Sequence, residues 1–165
     1  MRLPIRKPGK YARLKPDQYL TQAKYDELKA GLEKLKIRRP RAAEEVKRLA
    51  EMGDFSENAA YQIAKGRLRG MNQKILELAE QLKLAVIIKP AGPGGIVRLG
   101  ARVTVFTDGR EKTFLILGSA ETDPSQGIIS HKSPTGSGLM GRRAGDKIKI
   151  KIADKLIEYK IIKIE

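Results

Sequence analysis

Two carboxylates three residues apart are the clearest candidates for chemistry in this sequence. Asp54 and Glu57 lie within the hexapeptide 53–58. Such a pair is able to share a hard cation such as Mg²⁺, which prefers carboxylate oxygens. Two carboxylates are too few for a self-sufficient magnesium site, so a partner would have to supply the remaining ligands. The same spacing also matches a capping box, in which Asp54 and Glu57 begin a helix without any partner.

Heptad-like spacing flanks this hexapeptide on both sides. Positions that fit a helical seam recur at alternating steps of three and four, from Tyr25 to Leu49 before it and from Tyr61 to Ala85 after it. The two series are mirror images, so Leu49 would face Tyr61 in an antiparallel pair. Sustained a/d spacing with charged flanks predicts a coiled coil. We therefore expect an antiparallel coiled-coil finger over residues 19–89, with the two carboxylates at its tip.

The ends of the two predicted arms carry local signals. Thr21 is the expected N-cap of the first arm, which runs to about Met52. Pro40 lies inside this arm, where a proline removes one backbone hydrogen bond, so we expect a kink there. The second arm begins at about Glu57 and gives way to a strand-like apolar run at 84–88.

The second half of the chain has a different periodicity. After a Pro- and Gly-rich linker at residues 90–96, apolar residues of 97–165 alternate as they do in strands. Asp108-Gly109 is a type I′ hairpin signal, and Ser133 and Pro134 are expected to cap and begin a short helical turn. We expect a small antiparallel sheet with its lysines facing water, and the chain as a whole is predicted to be α+β.

The charge balance indicates an anionic partner. The chain has 34 Lys and Arg against 19 Asp and Glu, a net charge of +15, which predicts attraction to nucleic acid, acidic proteins or anionic membrane surfaces. Residues 1–18 hold Asp17 as their single acid and are expected to form a disordered basic arm. On the second helical arm, Lys65, Arg67 and Arg69 are either a solvated helix face or a phosphate-contacting patch behind the acids.

Residue usage also excludes several classes of site. The chain has no Cys and one His, His131, which excludes disulfides, thiolate nucleophiles, Cys-ligated zinc and a His-based metal cluster within one chain. No apolar run approaches the roughly 18–20 residues needed to cross a bilayer, and the N-terminus lacks the apolar core of a signal peptide. We therefore expect a cytoplasmic protein without a membrane partner.

Several motifs, in order along the chain, resemble those of the bacterial Gre-type transcript cleavage factors. The resembling segments are the tip run 53–61, the basic-proline pair Arg39-Pro40, and the C-terminal signature at 129–134, 138–141 and 145–146. The resemblance extends over residues 19–165. Two departures stand out: Ala60 replaces a frequent Glu, which leaves a less acidic tip, and Lys132 stands where a polar or acidic residue is more usual.

The resemblance implies a function carried out together with a partner. In the family the finger enters the secondary channel of RNA polymerase, while an FKBP-like C-terminal domain docks outside. The tip acids, here Asp54 and Glu57, help hold the polymerase's second catalytic Mg²⁺, and the polymerase hydrolyses a phosphodiester bond near the 3′ end of a backtracked RNA. The chain would therefore be a cofactor of an enzyme, with no cofactor bound on its own.

The other expected contacts follow from the same interpretation. Lys65, Arg67 and Arg69 would contact the nascent RNA, and Ser133 and Pro134 would dock on the polymerase. The basic arm would be available for contact with DNA, and we expect the chain to act as a monomer.

Three alternatives stay open on the sequence. An inhibitory paralogue would occupy the same polymerase channel without stimulating cleavage. A plain nucleic-acid-binding protein would explain the +15 charge but not the tip acids. A peptidyl-prolyl isomerase is suggested only by the FKBP-like domain, and it would need an aromatic-lined pocket.

Overall fold

Two long helices form most of the first half of the chain. The computed structural model describes residues 17–52, 58–90, 92, 95–152 and 155–165. Helix α1 spans Gln22–Glu51 and helix α2 spans Ala59–Leu84. At 1.5 Å per residue they are about 45 Å and about 39 Å long. The predicted pair of helical arms is confirmed.

Apolar residues of the predicted seam lie between the helices. Leu32 of α1 and Ala64 and Leu78 of α2 are buried. A polar contact supports the antiparallel register, since Arg39 Nε donates to Asn72 Oδ1 at 2.7 Å. Helix α1 continues through Pro40 as a single element, and the kink expected there stays a prediction.

A small parallel sheet closes the base of the helical pair. Strand β1 (Tyr19–Leu20) precedes α1, and strand β2 (Val86–Ile87) follows α2. Tyr19 pairs with Val86 and Leu20 pairs with Ile87. The strand-like run predicted at 84–88 is therefore confirmed at two of its residues. Because each strand adjoins one helix, their pairing ties the two ends of the hairpin together.

A five-stranded sheet forms the second half of the chain. Its strands, in chain order, are β3 (Arg102–Thr107), β4 (Arg110–Leu117), β5 (Ile128–Ser130), β6 (Lys147–Ile152) and β7 (Lys155–Ile164). The spatial order is β5-β4-β3-β7-β6. The expectation of a purely antiparallel sheet was wrong for β5, which pairs parallel to β4. Two short 3-10 turns, Ser119–Glu121 and Pro124–Gln126, return the chain so that β5 runs in the same direction as β4.

The predicted turn and short helix of this half are confirmed. Asp108 and Gly109 have φ angles of 50° and 75°, and two successive positive φ values are what a type I′ turn requires. Helix α3 spans Pro134–Leu139, with Ser133 as its N-cap. Its Gly136 lies against the preceding strand, where an added Cβ would be 2.0 Å from the Ser130 carbonyl oxygen.

One hydrophobic core holds the sheet and α3 together. Val103, Val105, Ile116, Leu139 and Ile161 are completely buried in it. Leu139 belongs to α3, so the short helix is fixed to the sheet by a core side chain. None of the helices in the described ranges is long and apolar enough to span a membrane.

Candidate functional site

The far end of the helical pair is organised by an asparagine. Asn58 caps α2, because its Oδ1 accepts from the Tyr61 backbone N–H at 3.0 Å. Its Nδ2 donates to the Leu49 carbonyl oxygen of α1 at 3.4 Å. One side chain therefore satisfies a helix N-terminus and also connects the two arms.

The predicted tip carboxylates belong to the segment between these helix ends. Asp54 and Glu57 lie outside the described residues, so their metal-binding role stays a prediction. The sequence placed the start of α2 at about Glu57, and the helix begins at Ala59 with Asn58 as its cap. The predicted capping of α2 by Asp54 is therefore wrong. The position of both acids between the two arms follows from the helix bounds.

The three predicted RNA-contacting residues of α2 do not form one patch. A helix turns about 100° per residue, so Lys65 and Arg69 share a side of α2, whereas Arg67 lies on a different side. Arg67 Nη1 is 3.9 Å from Glu45 Oε2 of α1. Lys65 Nζ lies 5.5 Å from the centroid of the Tyr61 ring. All three cations are exposed, and two of them face a common direction.

The predicted docking residues occupy an ordered loop at the start of α3. Ser133 Oγ accepts from the Gly136 N–H at 3.0 Å and donates to the Ser130 carbonyl oxygen at 2.7 Å. Pro134 follows as the first helical residue and is exposed. Proline suits this position because the first helical N–H has no intrahelical partner. The loop therefore presents Pro134 on a backbone that Ser133 holds in place.

The structure contains a polar cluster that sequence analysis missed. Asp17 Oδ2 accepts from the Ser119 backbone N–H at 2.8 Å and from the Ser119 hydroxyl at 2.9 Å. Lys132 Nζ is 3.8 Å from Asp17 Oδ1, and His131 Nδ1 is 3.5 Å from Asp17 Oδ2. Asp17, which had been assigned to the disordered basic arm, is instead buried against the C-terminal domain. Its place as the only acid in that basic run was the signal available in the sequence.

A second contact beside this cluster also joins the two halves of the chain. The Thr21 backbone N–H donates to Glu121 Oε2 at 2.8 Å, and its hydroxyl donates to Glu121 Oε1. The Thr21 hydroxyl also accepts from the Lys24 N–H at 3.2 Å, which confirms it as the N-cap of α1. One threonine therefore begins the long helix and connects it to the C-terminal domain. We call these contacts of Asp17 and Thr21 the clasp.

The environment of Asp17 favours its charged form. Burial raises the pKa of this carboxyl, but hydrogen bonds from the Ser119 backbone and hydroxyl and from the Tyr19 N–H lower it. The Coulombic attraction of His131 lowers it further, and the net pKa lies below the usual value of 3.8. The carboxylate is therefore ionised at neutral pH and stabilises the clasp.

Ser119, His131 and Asp17 are the residue types of a hydrolase triad, but their connectivity is different. In a catalytic triad the serine donates to the histidine. Here the Ser119 hydroxyl donates to Asp17, and its other partner is the Ser130 hydroxyl at 2.8 Å. The imidazole Nδ1 lies 3.3 Å from the Leu117 carbonyl oxygen, and the ring contacts Tyr19 edge to face. This arrangement holds the N-terminal segment and does not activate a nucleophile.

Metal binding by the chain alone has no support among the described residues. Within those ranges no group of three or more Asp, Glu or His side chains is positioned to hold a metal ion.

Comparisons with known proteins cover nearly all of the chain. Residues 18–87 match the family model described as "Transcription elongation factor, N-terminal", and residues 92–165 match "Transcription elongation factor, GreA/GreB, C-term". The transcription elongation factor GreA of Macrococcus caseolyticus is 36% identical, over 88% of this chain and 94% of the relative. GreA of Chloroflexus aurantiacus is 37% identical, over 88% of this chain and 96% of the relative.

Solved structures also include similar chains. The crystal structure of GreA factor homolog 1 from Thermus thermophilus is 26% identical, with a TM-score of 0.41, over 89% of this chain and 97% of that one. The two family models together span both the helical pair and the sheet domain. The chain belongs to the GreA/GreB family of transcription elongation factors.

Proposed function

We propose that this elongation factor inserts its helical pair into the secondary channel of RNA polymerase and stimulates cleavage of backtracked nascent RNA. The polymerase performs the hydrolysis in its own active site, and the factor acts as a cofactor. It would work as a monomer in the cytoplasm, where bacterial transcription takes place. The observation that carries the proposal is the helical pair itself, because its far end is the segment that contains Asp54 and Glu57.

The dimensions of the helical pair suit a probe that enters a channel. Its arms are about 39–45 Å long by helix geometry, while the seam between them is one layer of side chains. The closed base formed by β1 and β2 and the cap made by Asn58 hold both ends of the pair. A hairpin tied at both ends is able to present its tip at a fixed distance from the C-terminal domain.

The proposed role of the tip is to complete a magnesium site. Asp54 and Glu57 offer carboxylate oxygens, which are the ligands that Mg²⁺ prefers, and polymerase residues would supply the rest. The metal, when bound there, would supply charge stabilisation and an activated water for phosphodiester hydrolysis. The contribution of this chain is to bring two negative charges to that position. Without a cation these charges would repel the RNA backbone.

The cations behind the tip are proposed to guide the RNA. Lys65 and Arg69 lie on one side of α2, two to three turns from its N-terminus, where they would neutralise phosphates of the RNA 3′ segment. Arg67 was predicted to share this role, and its position near Glu45 gives it a second role in holding the two arms together. The basic arm before residue 17 stays a proposed contact for DNA.

Docking on the polymerase is proposed for the loop of Ser133 and Pro134. Ser133 fixes the loop through its bonds to Ser130 and Gly136, and Pro134 is exposed beside it. Lys132, whose charge departs from the family pattern, lies 3.8 Å from Asp17 within the same chain. The Asp17 carboxylate therefore balances part of the Lys132 charge. Pro134 is the apolar residue that would contact the polymerase.

The decisive experiment is RNA cleavage in a reconstituted backtracked elongation complex. Asp54→Ala and Glu57→Ala should each abolish the stimulation of cleavage and retain polymerase binding, because each removes a metal ligand. Asp26→Ala, which removes an exposed carboxylate on α1, is the matched control and should remain fully active. Full activity of both tip variants would exclude the metal-ligand role.

Two further measurements separate the alternative functions. Inhibition of transcription without RNA cleavage would identify an inhibitory relative. Salt-dependent binding to free nucleic acid with no affinity for polymerase would identify a plain nucleic-acid-binding protein.

Lys65→Ala should raise the concentration of factor that is needed for cleavage. Lys83→Ala, on the same helix but about 27 Å away, should have no effect.

A further inference from the structure

The solvent side of the C-terminal sheet carries a group of cations that the proposed function does not use. Lys147, Lys149 and Lys151 of β6 are exposed, while Ile148 and Ile150 between them are buried in the core. Cross-strand pairing extends the group onto β7, since Lys147 pairs with Lys160. Further cations on the same side are Arg102 of β3 and Lys163 of β7. We call these six residues the basic sheet face.

The charge of this face is only partly balanced, because Glu158 lies directly opposite Lys149 and Glu111 directly opposite Phe106. Among the described residues, the only ion pair that involves it joins Lys163 Nζ to Glu165 Oε1 at 2.6 Å. Lys147 and Lys160 are directly opposite each other, and like charges in that position destabilise a sheet. Lysines on an edge strand protect a sheet from pairing with other chains. That role would explain the β6 lysines but not the extension of the charge to β7 and β3.

An exposed aromatic ring lies beside these lysines. Phe106 of β3 is 45% exposed, and it pairs with Lys160. A pocket of about 360 Å³ adjoins the ring and is lined by Phe106, Thr107, Asp108, Lys147, Glu158 and Lys160. Thr107 Oγ1 is the single buried side-chain polar atom within the described ranges that lacks a hydrogen-bond partner. An exposed ring among lysines is the combination that binds single-stranded nucleic acid, because bases stack on the ring and phosphates bind the cations.

We propose that the basic sheet face binds single-stranded RNA, with phosphates on the β6 lysines and one base stacked on Phe106. Alternate residues of a strand are about 6.7 Å apart, so the lysines form an evenly spaced row of cations along β6. Asp108 and Glu158 line the pocket beside the ring and repel phosphate. The backbone therefore follows the lysines while a base enters the pocket, where these carboxylates accept hydrogen bonds from an exocyclic amine. The site is separate from the tip and needs no polymerase.

The first test measures binding of a labelled oligoadenylate RNA to the full chain by fluorescence anisotropy, in the absence of polymerase. The face variant is Lys147→Gln, Lys149→Gln and Lys160→Gln together. The control variant is Lys29→Gln, Lys34→Gln and Lys83→Gln, three exposed helical lysines with the same total change in charge. The face variant should bind at least about tenfold more weakly, because three lost phosphate contacts release fewer counterions. Its log–log salt slope should fall by about 2, at about 0.7 per lost phosphate contact on a single strand.

The second test isolates the stacking contact. Phe106→Ala should weaken RNA binding by about five- to 150-fold, the range for loss of one aromatic stacking position. Leu76→Ala removes an apolar side chain of α2 that is 66% exposed, more than Phe106, and should leave binding unchanged. Unchanged circular dichroism and melting temperatures will show that each variant is folded.

Three results would overturn the proposal. The first is equal losses in the face and control lysine variants, which would show only a general effect of net charge. The second is unchanged RNA binding by Phe106→Ala. This result would exclude stacking on Phe106 even if the face variant weakened binding to RNA and to duplex DNA by the same factor. The third is a face variant that loses affinity for polymerase but not for RNA, which would identify a protein contact. These outcomes are independent of the cleavage function, because Asp54→Ala should retain full RNA binding at the sheet face.

Discussion

Replacing Asp17 by asparagine should loosen the clasp between the N-terminal segment and the C-terminal domain. The carboxylate accepts from the Ser119 backbone N–H at 2.8 Å and from the Ser119 hydroxyl at 2.9 Å, and its side chain is 3% exposed. Asparagine keeps the size of the side chain but has one acceptor oxygen and no charge. The amide nitrogen of asparagine is a donor. Where it replaces a carboxylate oxygen it would face another donor, and the hydrogen bond would be lost.

The expected cost follows from the number and type of these bonds. A hydrogen bond to a charged group contributes about 1.5–3 kcal/mol. Because both Ser119 bonds end on the same oxygen, their contributions are not fully additive. We expect Asp17→Asn to lower the free energy that holds the clasp by about 2–3 kcal/mol, which corresponds to roughly a 30- to 150-fold change in its equilibrium constant.

The Ser119 amide offers a direct measurement, because it is one of the donors to Asp17. Native-state hydrogen exchange reports the local opening of such bonds. At pH 7, exchange at Ser119 should be roughly 30- to 150-fold faster in Asp17→Asn than in the wild type. Asp26→Asn is the control: Asp26 is an exposed carboxylate that accepts one bond from Gln22 at 2.9 Å, and its loss should not affect Ser119.

The same variant predicts a pH dependence of stability with a defined sign. The pKa of Asp17 in the folded protein lies below 3.8. A carboxyl whose pKa is lowered by folding stabilises the protein fully above its unfolded pKa and loses this effect as the pH falls through the folded pKa. The stability difference between wild type and Asp17→Asn, measured by urea denaturation, should be complete at pH 7 and shrink below about pH 3.8. Equal Ser119 exchange rates at pH 7, or a difference that grows on acidification, would refute the reasoning.

Three further substitutions test the packing of the two halves. Gly136→Ala places a Cβ 2.0 Å from the Ser130 carbonyl oxygen, so it should cost the C-terminal domain about 1–3 kcal/mol in urea denaturation; Gly66→Ala, where the added Cβ has open space, should not destabilise the chain. Ser133→Ala removes the N-cap of α3 and should cost about 1 kcal/mol; no loss in the denaturation midpoint would contradict the capping role. Leu32→Ala empties a buried seam position and should cost about 2–5 kcal/mol, seen as earlier loss of helical circular dichroism; an unchanged transition would show that Leu32 is not packed in the seam.

Local signals accounted for the elements that sequence analysis predicted well. The heptad spacing, the Thr21 cap and the Asp108-Gly109 turn depend on residues close together in the chain, and the structure confirms them. The cap of α2 was misplaced because Asp54 and Asn58 are both good N-cap residues within one short segment. The choice between them depends on where α2 packs against α1, and Asn58 reaches the Leu49 carbonyl oxygen.

Two of the errors of prediction concern contacts between distant parts of the chain. Strand alternation identified β5 but contains no information about its direction, which depends on the two 3-10 turns before it. Asp17 contacts a serine 102 residues later in the sequence, so a local interpretation of its basic surroundings could not find its partner. Helix geometry alone places Arg67 on a different side of α2 from Lys65 and Arg69, so this separation was predictable from the sequence.

The clasp also has a consequence for the order in which parts of the fold become fixed during synthesis. Its bonds join residues 100 and 102 positions apart in the chain, and α1 and α2 lie between them. At a synthesis rate of about 5–20 residues per second, the ribosome would need roughly 5–20 s to add the residues between Asp17 and Ser119. Both long helices would leave the ribosome before their anchor on the C-terminal domain exists. During that interval the nascent hairpin would be held only by its own seam and by the pairing of β1 with β2.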